Sequence, residues 1–149
     1  MILMDSESLI LENQLCFPLY ACAKEVVKKY KPFLDEIGLT YTQYITMMVL
    51  WEKKSINVKT LGEYLFLDSG TLTPLLKKLE AQGIVNRNRS SSDERNLEIT
   101  LTQKGEDLKK QAVTLPASME RCIDLSAEDA ANLYRLLYKL LAQFPRETG

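Results

Sequence analysis

Three cysteines are the side chains of this sequence best suited to nucleophilic chemistry, and the chain contains no histidine to assist them. The absence of histidine excludes His-based zinc sites and every Cys–His or Ser–His catalytic arrangement. Cys16 lies in the stretch NQLCF, while Cys22 falls on another helical face and is interpreted as a packing residue. A cysteine on an apolar helical stripe is more often an inert core thiol, and a reactive one must be held as the thiolate. Both interpretations of Cys16 therefore stay open at this point.

Phenols, rather than a cationic side chain, would have to activate Cys16. No Lys, Arg or His adjoins Cys16 in the sequence. Tyr30 falls on nearly the same helical face, but at about 1.5 Å per residue it lies roughly 21 Å further along the axis. Tyr30 therefore cannot touch the Cys16 of its own straight helix, whereas in a dimer with antiparallel first helices it could reach the Cys16 of the other chain. If the helix begins at Pro18, its dipole would also favour a thiolate at Cys16.

A second set of residues has the side chains that bind nucleic acid. A helix in the major groove needs short hydrogen-bonding side chains, because bulk holds the helix axis away from the base edges. A guanidinium at a hairpin tip can reach the minor groove, where the potential is strongly negative. Asp93 is spaced to hold the guanidinium of Arg95. The alternative is a solvated surface with ordinary charges. The DNA-binding candidates are Ser69, Thr71, Thr73, Lys77, Arg87, Arg89, Asp93 and Arg95.

Helix and strand periodicities predict the elements that position these residues. Leucines recur at helical spacing up to Leu79, and Gly83 follows where a helix would end. The patterns of residues 84–89 and 96–101 predict two strands, the second with clean alternation of apolar and polar residues. This order predicts a winged helix-turn-helix over about residues 40–102. The fold class is mainly α with a small β-hairpin wing.

Two helices are predicted before the DNA-binding candidates. The first covers about residues 9–31, where Pro18 either kinks the helix or marks its true start near Phe17. A capping box of Thr40 and Gln43 begins the second, because the two side chains can satisfy each other's backbone N–H groups. Both helices have apolar residues at helical spacing.

Further helices are predicted at residues 58–66 and beyond the wing. Thr102 caps a fifth helix that Pro116 disturbs, and Ser126 caps a sixth with a broad leucine face. With the first helix, these segments at about 103–145 are more apolar than a small monomer needs. We interpret them as dimerisation helices, since a twofold dimer would cover them and present two recognition helices one DNA turn apart. Completion of a monomer core is the alternative.

Composition indicates one domain over residues 1–149. At 149 residues and 46% hydrophobic content, the chain can bury a core without disulfides or metals. The net charge of -1, from 19 basic and 20 acidic residues, gives no global basic field, so DNA binding would depend on a local concentration of Lys and Arg. Acidic residues interrupt the apolar start, and no apolar run reaches the length of a membrane span. We therefore expect a cytoplasmic protein without cofactor, metal or membrane partner.

The sequence also resembles a known family. The run LDSGTLTPLLKKLEAQGIVNRNRSSSDERNLEITLTQKG resembles the DNA-binding core of MarR-type regulators. The motifs NQLCFPLYA, YKPFLDEIGLTYTQY and LGEYLFLDSGTLTPLLKKLE narrow the resemblance to the organic hydroperoxide repressors. It covers nearly the whole chain and implies a symmetric dimer that represses transcription until a peroxide oxidises one cysteine.

The resemblance implies roles for individual residues. Tyr30 and Tyr41 would donate hydrogen bonds to the Cys16 thiolate, and such donation favours the charged form. Cys122 would be the resolving cysteine, which forms a disulfide with the Cys16 of the partner subunit after oxidation. Capping of Cys16 by an external small thiol is the alternative. Pro18 departs from the usual pattern of the subgroup and so bears on the reactivity of Cys16.

These interpretations predict a redox-sensing, homodimeric, DNA-binding repressor. It would leave its operator when an organic hydroperoxide oxidises Cys16. The nearest alternative is a MarR-type repressor that a non-covalent small aromatic ligand derepresses, with Cys16 merely structural. An enzyme such as a thiol peroxidase is not expected, because that chemistry usually needs a cationic group beside the cysteine.

Overall fold

A computed structural model describes residues 6–89 and 97–146 of the chain, which form helices around one small antiparallel sheet. Two short 3-10 turns, Ser6–Leu9 and Leu11–Asn13, precede the first α-helix. The helices are α1 Cys16–Ile37, α2 Tyr41–Lys53, α3 Val58–Leu65, α4 Ser69–Ala81, α5 Gln103–Ala112, α6 Leu115–Cys122 and α7 Ala127–Leu141. The strands are β1 Ser55–Asn57, β2 Val85–Arg89 and β3 Leu97–Leu101.

The first helix is shifted along the chain relative to its predicted range of 9–31. It begins at Cys16, so Pro18 lies in its first turn, where the missing N–H would have had no intrahelical partner. Of the two predicted effects of Pro18, the structure has the helix start and not the kink. The helix ends at Gly38, whose left-handed backbone (φ 70°) lets the N–H of Leu39 reach the carbonyl of Leu34 at 3.1 Å.

The start of the second helix is as predicted. Thr40 accepts a hydrogen bond from the backbone of Gln43, and the Gln43 side chain accepts one from the backbone of Thr40. Further along α2, the indole N–H of Trp51 donates to the carbonyl of Gly105 at 2.9 Å. A Cβ on Gly105 would collide with the carbonyl oxygen of Ile84. The glycine therefore allows α5 to pack closely against Ile84, the residue before β2. These contacts fix α2 and α5 to one core.

Four leucines hold α4 against the rest of the core. Leu72, Leu75, Leu76 and Leu79 are all buried, as their helical spacing predicts. The side chain of Asp68 caps the helix by accepting from the N–H of Thr71 at 2.7 Å. The opposite face of α4 is therefore left toward solvent.

The sheet has three strands in the order β1-β3-β2 rather than the two that the sequence predicted. The missed strand, β1, pairs with β3 through Ile56 and Ile99, which are both buried. Three residues are too few to show a strand alternation in the sequence. Within β3, Leu97 and Ile99 face the core as predicted, and Glu98 between them is exposed.

The C-terminal helices divide differently from the prediction. Thr102 caps α5 as predicted, by accepting from the N–H of Gly105. The predicted continuation of this helix to Leu115 is wrong: α5 ends at Ala112 and α6 begins at Leu115, because Pro116 suits the first turn of a new helix. Ser126 caps α7 as predicted, by accepting from the N–H of Asp129. No residue of α7 is buried in the protomer. In the described part of the chain, no helix has both the length and the apolar character needed to cross a membrane.

Candidate functional site

The thiol of Cys16 is exposed at the first residue of α1. The N-cap residue of α1 is Leu15, whose side chain cannot accept a hydrogen bond. The first backbone N–H groups of the helix therefore receive no cap from Leu15. The positive end of the helix dipole lies there as well. Cys16 therefore lies in the first turn of α1, the position in which the sequence analysis expected the helix dipole to act on it.

Two of the predicted sensing residues, Tyr30 and Tyr41, lie in contact. Their ring centroids are 5.0 Å apart and their planes are tilted by 54°, an arrangement typical of packed aromatic pairs. Burial raises the pKa of Tyr30, and the charge of Tyr41 adds to this effect. Burial also raises the pKa of Tyr41. Both phenols therefore stay neutral and keep the proton that a hydrogen-bond donor needs.

The same protomer does not bring this tyrosine pair to Cys16. Cys16 and Tyr30 both belong to α1, which is continuous from Cys16 to Ile37. At about 1.5 Å per residue they lie roughly 21 Å apart along the helix axis. A thiol at one end of α1 and a phenol pair near its other end can meet only if two helices run antiparallel past each other.

Tyr44 is a third member of the phenol cluster, and the sequence analysis did not place it with Tyr30 and Tyr41. Its ring lies 5.9 Å from that of Tyr30 and 6.4 Å from that of Tyr41. It is buried, with 4% of its surface exposed. The spacing of Tyr41 and Tyr44, three apart on a helix, puts both on one face and could have pointed to the cluster.

The other two cysteines are also exposed in the protomer. Cys122 is the last residue of α6, a helix separate from α5. Cys22, on α1, was expected to be a packing residue, and its exposure in the protomer does not fit that role. All three thiols are free.

An apolar surface runs over α1 and α7. Large hydrophobic side chains that a soluble monomer would cover are exposed here, including Leu133 at 47% and Leu136 at 52%. A groove between the two helices is almost entirely apolar. It is lined by Leu19, Leu137, Tyr138, Leu140, Leu141 and Phe144.

Hydroxyl and lysine side chains occupy the solvent side of α4. Ser69, Thr71, Thr73 and Lys77 are all exposed, opposite the four buried leucines. This is the arrangement that a helix entering a major groove requires, with short polar groups outward and a firmly packed inner face. The geometry of α4 therefore agrees with the pattern seen in the sequence.

The arginines of the wing differ in their surroundings. The guanidinium of Arg87 turns toward α4, where its Nη1 lies 3.5 Å from Oε1 of Glu80. Only 17% of its side chain is exposed, and its Nε has no hydrogen-bond partner among the described residues. Arg89 is exposed at the end of β2. Asp93 and Arg95 lie outside the described residues.

Glu80 is a residue of this surface that the sequence analysis missed. β2 runs back beside α4 and so brings Arg87 to Glu80. A strand that follows a helix after a short turn often packs against that helix, and this is the signal that could have paired the two residues.

Known proteins resemble the chain over most of its length. The family model described as "Transcriptional regulator SarA/Rot" matches residues 28–112. The organic hydroperoxide resistance transcriptional regulator of Bacillus subtilis (strain 168) is 50% identical over 131 residues, which cover 88% of this chain and 89% of that protein. The structure of reduced AbfR bound to DNA, from Staphylococcus epidermidis, matches with a TM-score of 0.75 and 34% identity, over 94% of this chain and 98% of that one.

A second state of AbfR is also similar. The structure of disulfide-formed AbfR matches with a TM-score of 0.62 and 34% identity, over 94% of this chain and 95% of the other. The similar proteins are transcriptional regulators and not enzymes, which confirms the expectation that this chain is not an enzyme. The helices, the three-stranded wing and these relatives agree: the chain belongs to the MarR-type winged-helix transcriptional regulators, in the subgroup of the organic hydroperoxide resistance regulators.

Proposed function

We propose that this chain is a homodimeric repressor that binds operator DNA while Cys16 is reduced and leaves it after an organic hydroperoxide oxidises Cys16. The name of the Bacillus subtilis relative supports the inducer, and the reduced, DNA-bound and disulfide forms of AbfR support a redox switch. The fold of this chain is closer to the reduced, DNA-bound form than to the disulfide form, with TM-scores of 0.75 and 0.62. The protein would act in the cytoplasm, where thiols are normally reduced.

The observation that carries this proposal is the contact between Tyr30 and Tyr41. Two neutral phenols meet at 5.0 Å, and the exposed Cys16 of the same protomer begins the helix that carries Tyr30. Antiparallel pairing of two α1 helices would bring the pair of one subunit to the thiol of the other. The exposed apolar faces of α1 and α7 support such a pairing, since burial on a twofold partner would remove them from water.

Oxidation of Cys16 would proceed by attack of the thiolate on the terminal oxygen of the hydroperoxide. The S–O bond forms as the O–O bond breaks, so the sulfur is oxidised to a sulfenic acid and the peroxide is reduced. The departing alkoxide takes a proton from solvent and leaves as the alcohol. Hydrogen bonds from Tyr30 and Tyr41 of the partner subunit would stabilise the thiolate before the attack, since donation to a charged form favours that form.

Cys122 would then resolve the sulfenic acid. Its thiol sulfur attacks the sulfur of Cys16. An S–S bond forms, the S–O bond breaks, and the sulfenic OH group takes the proton of the thiol and leaves as water. The attacking cysteine would belong to the partner subunit. Because Cys122 ends α6 and Cys16 begins α1, the crosslink would draw the ends of two helices together and shift the paired DNA-binding units.

DNA release by peroxide tests the proposed function. The DNA probe is a duplex that the reduced protein has selected from a random library, and binding is followed by fluorescence anisotropy before and after one equivalent of cumene hydroperoxide. The wild-type protein and Cys22→Ser should be released, whereas Cys16→Ser should stay bound. Release of Cys16→Ser by the peroxide would overturn the proposal and leave a non-covalent inducer as the better account.

The crosslink is tested separately on non-reducing gels. Peroxide-treated wild-type protein should migrate as a covalent dimer, and peptide mass spectrometry should find Cys16 joined to Cys122. Either Cys16→Ser or Cys122→Ser should abolish the dimer band, and Cys22→Ser should retain it. If the wild-type protein stays monomeric on the gel while the peroxide still releases DNA, the internal disulfide is wrong. Mass spectrometry after addition of a small thiol would then test the alternative, in which that thiol caps Cys16.

A further inference from the structure

Tyr44 lies behind the two phenols that the proposed function uses. It is the most buried of the three rings, with 4% of its surface exposed, while Tyr30 and Tyr41 are only partly buried. Its ring meets Tyr30 at 5.9 Å with a tilt of 42°, and it meets Tyr41 at 6.4 Å with a tilt of 57°. Every pair within the cluster therefore lies within the distance range of packed aromatic rings.

The contact of Tyr30 with Tyr41 needs support from a third group. The two rings belong to different helices, α1 and α2, and both face partly toward solvent. A tyrosine side chain that faces water can change its χ1 rotamer, and each rotamer moves the hydroxyl by several ångströms. A buried ring that packs against both neighbours removes those alternatives. Tyr44 is the ring of this cluster that touches both and is itself fixed in the core.

We propose that Tyr44 is a positioning residue for the peroxide sensor, whose buried ring holds Tyr30 and Tyr41 in the rotamers that aim their hydroxyls at the Cys16 thiolate of the partner subunit. The inference rests on the proposed function, because the two aimed phenols act only if that thiolate is the sensor. Tyr44 itself does not touch the sulfur. It acts through the orientation of the other two rings, and any planar ring of the same size should serve.

The electrostatics of the cluster agree with a role for the ring rather than for a charge. Burial raises the pKa of Tyr44, and the charges of Tyr30 and Tyr41 raise it further. Tyr44 is therefore a neutral phenol at neutral pH. A phenylalanine, which is always neutral and has the same ring, should replace it.

The test compares Tyr44→Phe with Tyr44→Leu in a Cys22→Ser/Cys122→Ser background, where Cys16 is the one remaining thiol. The rate of Cys16 alkylation by iodoacetamide is measured from pH 5 to pH 9, and operator affinity is measured on the same samples. Tyr44→Phe should keep the parent profile. Tyr44→Leu should move the profile up by about one pH unit. This shift lowers the rate about tenfold at pH values below both midpoints, because only the thiolate reacts.

A matched control distinguishes a loss of phenol orientation from a general loss of packing in the core. Leu50→Val shortens another fully buried side chain of α2 and should leave the alkylation profile unchanged. Should Tyr44→Leu fail to fold, Tyr44→Met replaces the ring by an unbranched, flexible side chain that adapts better to an irregular gap. It should give the same upward shift. An equal shift in Leu50→Val would overturn the inference, since a general loss of packing would then explain the result.

The outcomes also distinguish this inference from the proposed function. If Tyr30→Phe slows alkylation while Tyr44→Leu keeps the parent profile, Tyr44 has no positioning role and the proposed function stands. If neither Tyr30→Phe nor Tyr41→Phe changes the profile, the activation of Cys16 by phenols fails, and the role of Tyr44 fails with it.

Discussion

The rings of Tyr30 and Tyr41 contact each other at 5.0 Å although they belong to different helices, α1 and α2. Burial raises the pKa of both phenols, so each keeps its proton at neutral pH. The pair is therefore a source of two neutral hydrogen-bond donors. A thiolate within hydrogen-bond reach of both hydroxyls would gain stabilisation from each without a lysine or arginine at the site.

The first prediction concerns the ionisation of this cluster at high pH. Because the pKa values of Tyr30, Tyr41 and Tyr44 are raised in the folded chain, the unfolded chain loses these protons first. The neutral phenols contribute to the free energy of unfolding. This contribution is fully present below the tyrosine pKa of the unfolded chain, about 10, and is lost as the pH rises through the pKa values of the folded chain. The urea concentration at the midpoint of unfolding should therefore decrease at pH values above 10, and it should decrease less in Tyr44→Phe.

Absorbance at 295 nm gives a direct check of that prediction. Of the seven tyrosines, those of the cluster should ionise last in the folded protein. Tyr44→Phe should reduce the amplitude of this late phase. A single titration of all tyrosines near pH 10 would show that burial does not hold the phenols neutral.

The second prediction concerns the close approach at Gly105. Gly105→Ala should lower the free energy of unfolding by about 1–3 kcal/mol, because the new methyl group would meet the backbone carbonyl of Ile84 and must push the chain apart. The shift should also disturb the hydrogen bond from Trp51 to the Gly105 carbonyl, which tryptophan fluorescence reports. Urea unfolding gives the free energy.

A control for Gly105→Ala is available on the same helix. Gln111 is exposed on α5, and Gln111→Ala should change the free energy of unfolding by less than about 0.5 kcal/mol. Equal effects of the two substitutions, or a stable Gly105→Ala protein, would show that the backbone of Ile84 moves aside at little cost.

The helix ends of the chain were predictable because they depend on neighbouring residues. The capping box of Thr40 and Gln43 and the cap of Ser126 need side chains only three positions apart, and the structure contains both. The strand β1 was missed because its pairing of Ile56 with Ile99 is not local. A strand of three residues is too short to show an alternation of apolar and polar residues, and its pairing partner lies far away in the sequence.

In the candidate site, too, the sequence predicted local features and missed contacts between separate elements. The exposed face of α4 followed from leucine spacing within one helix. The pairing of Arg87 with Glu80 and the packing of Tyr44 on Tyr30 join separate elements, and the sequence pattern did not contain them. Sequence reasoning therefore named the chemistry of the residues more reliably than their partners.

The third prediction concerns DNA contacts of α4. Lys77→Ala should weaken binding to all duplexes alike. It should also reduce by about one the salt slope, which is the steepness with which the logarithm of the binding constant falls with the logarithm of the salt concentration, because a phosphate contact releases counterions. Thr71→Ala should instead change the preference among bases at one position of each half-site. Lys110→Ala, an exposed lysine of α5, is the charge-matched control and should keep the parent slope. A Lys110→Ala slope equal to that of Lys77→Ala would remove the assignment of Lys77.

The fourth prediction concerns Arg87, which the sequence pattern had placed among the DNA contacts. Its guanidinium faces Glu80, so we expect Arg87 to hold β2 against α4. Arg87→Met should weaken binding to every duplex and leave the salt slope unchanged. The coupling of Arg87 with Glu80 in a double-mutant cycle should be below about 1 kcal/mol, because Glu80 is substantially exposed. A salt slope lowered by about one in Arg87→Met would show a phosphate contact instead.

The fifth prediction concerns the subunit that supplies the phenols. Heterodimers are made by co-expression with two affinity tags, in the Cys22→Ser/Cys122→Ser background, so that each contains a single Cys16. In the first heterodimer, one subunit has Cys16→Ser and intact tyrosines, and the other has Cys16 with Tyr30→Phe and Tyr41→Phe. In the second, one subunit carries all three substitutions and the other carries none.

The alkylation rate of the remaining Cys16 near neutral pH tests the central claim. If the phenols act across the dimer, the first heterodimer should react at the rate of the parent protein and the second at the slow rate of the Tyr30→Phe/Tyr41→Phe homodimer. The reverse order, with the first heterodimer slow and the second fast, would contradict the account, because each thiol would then depend on the tyrosines of its own chain.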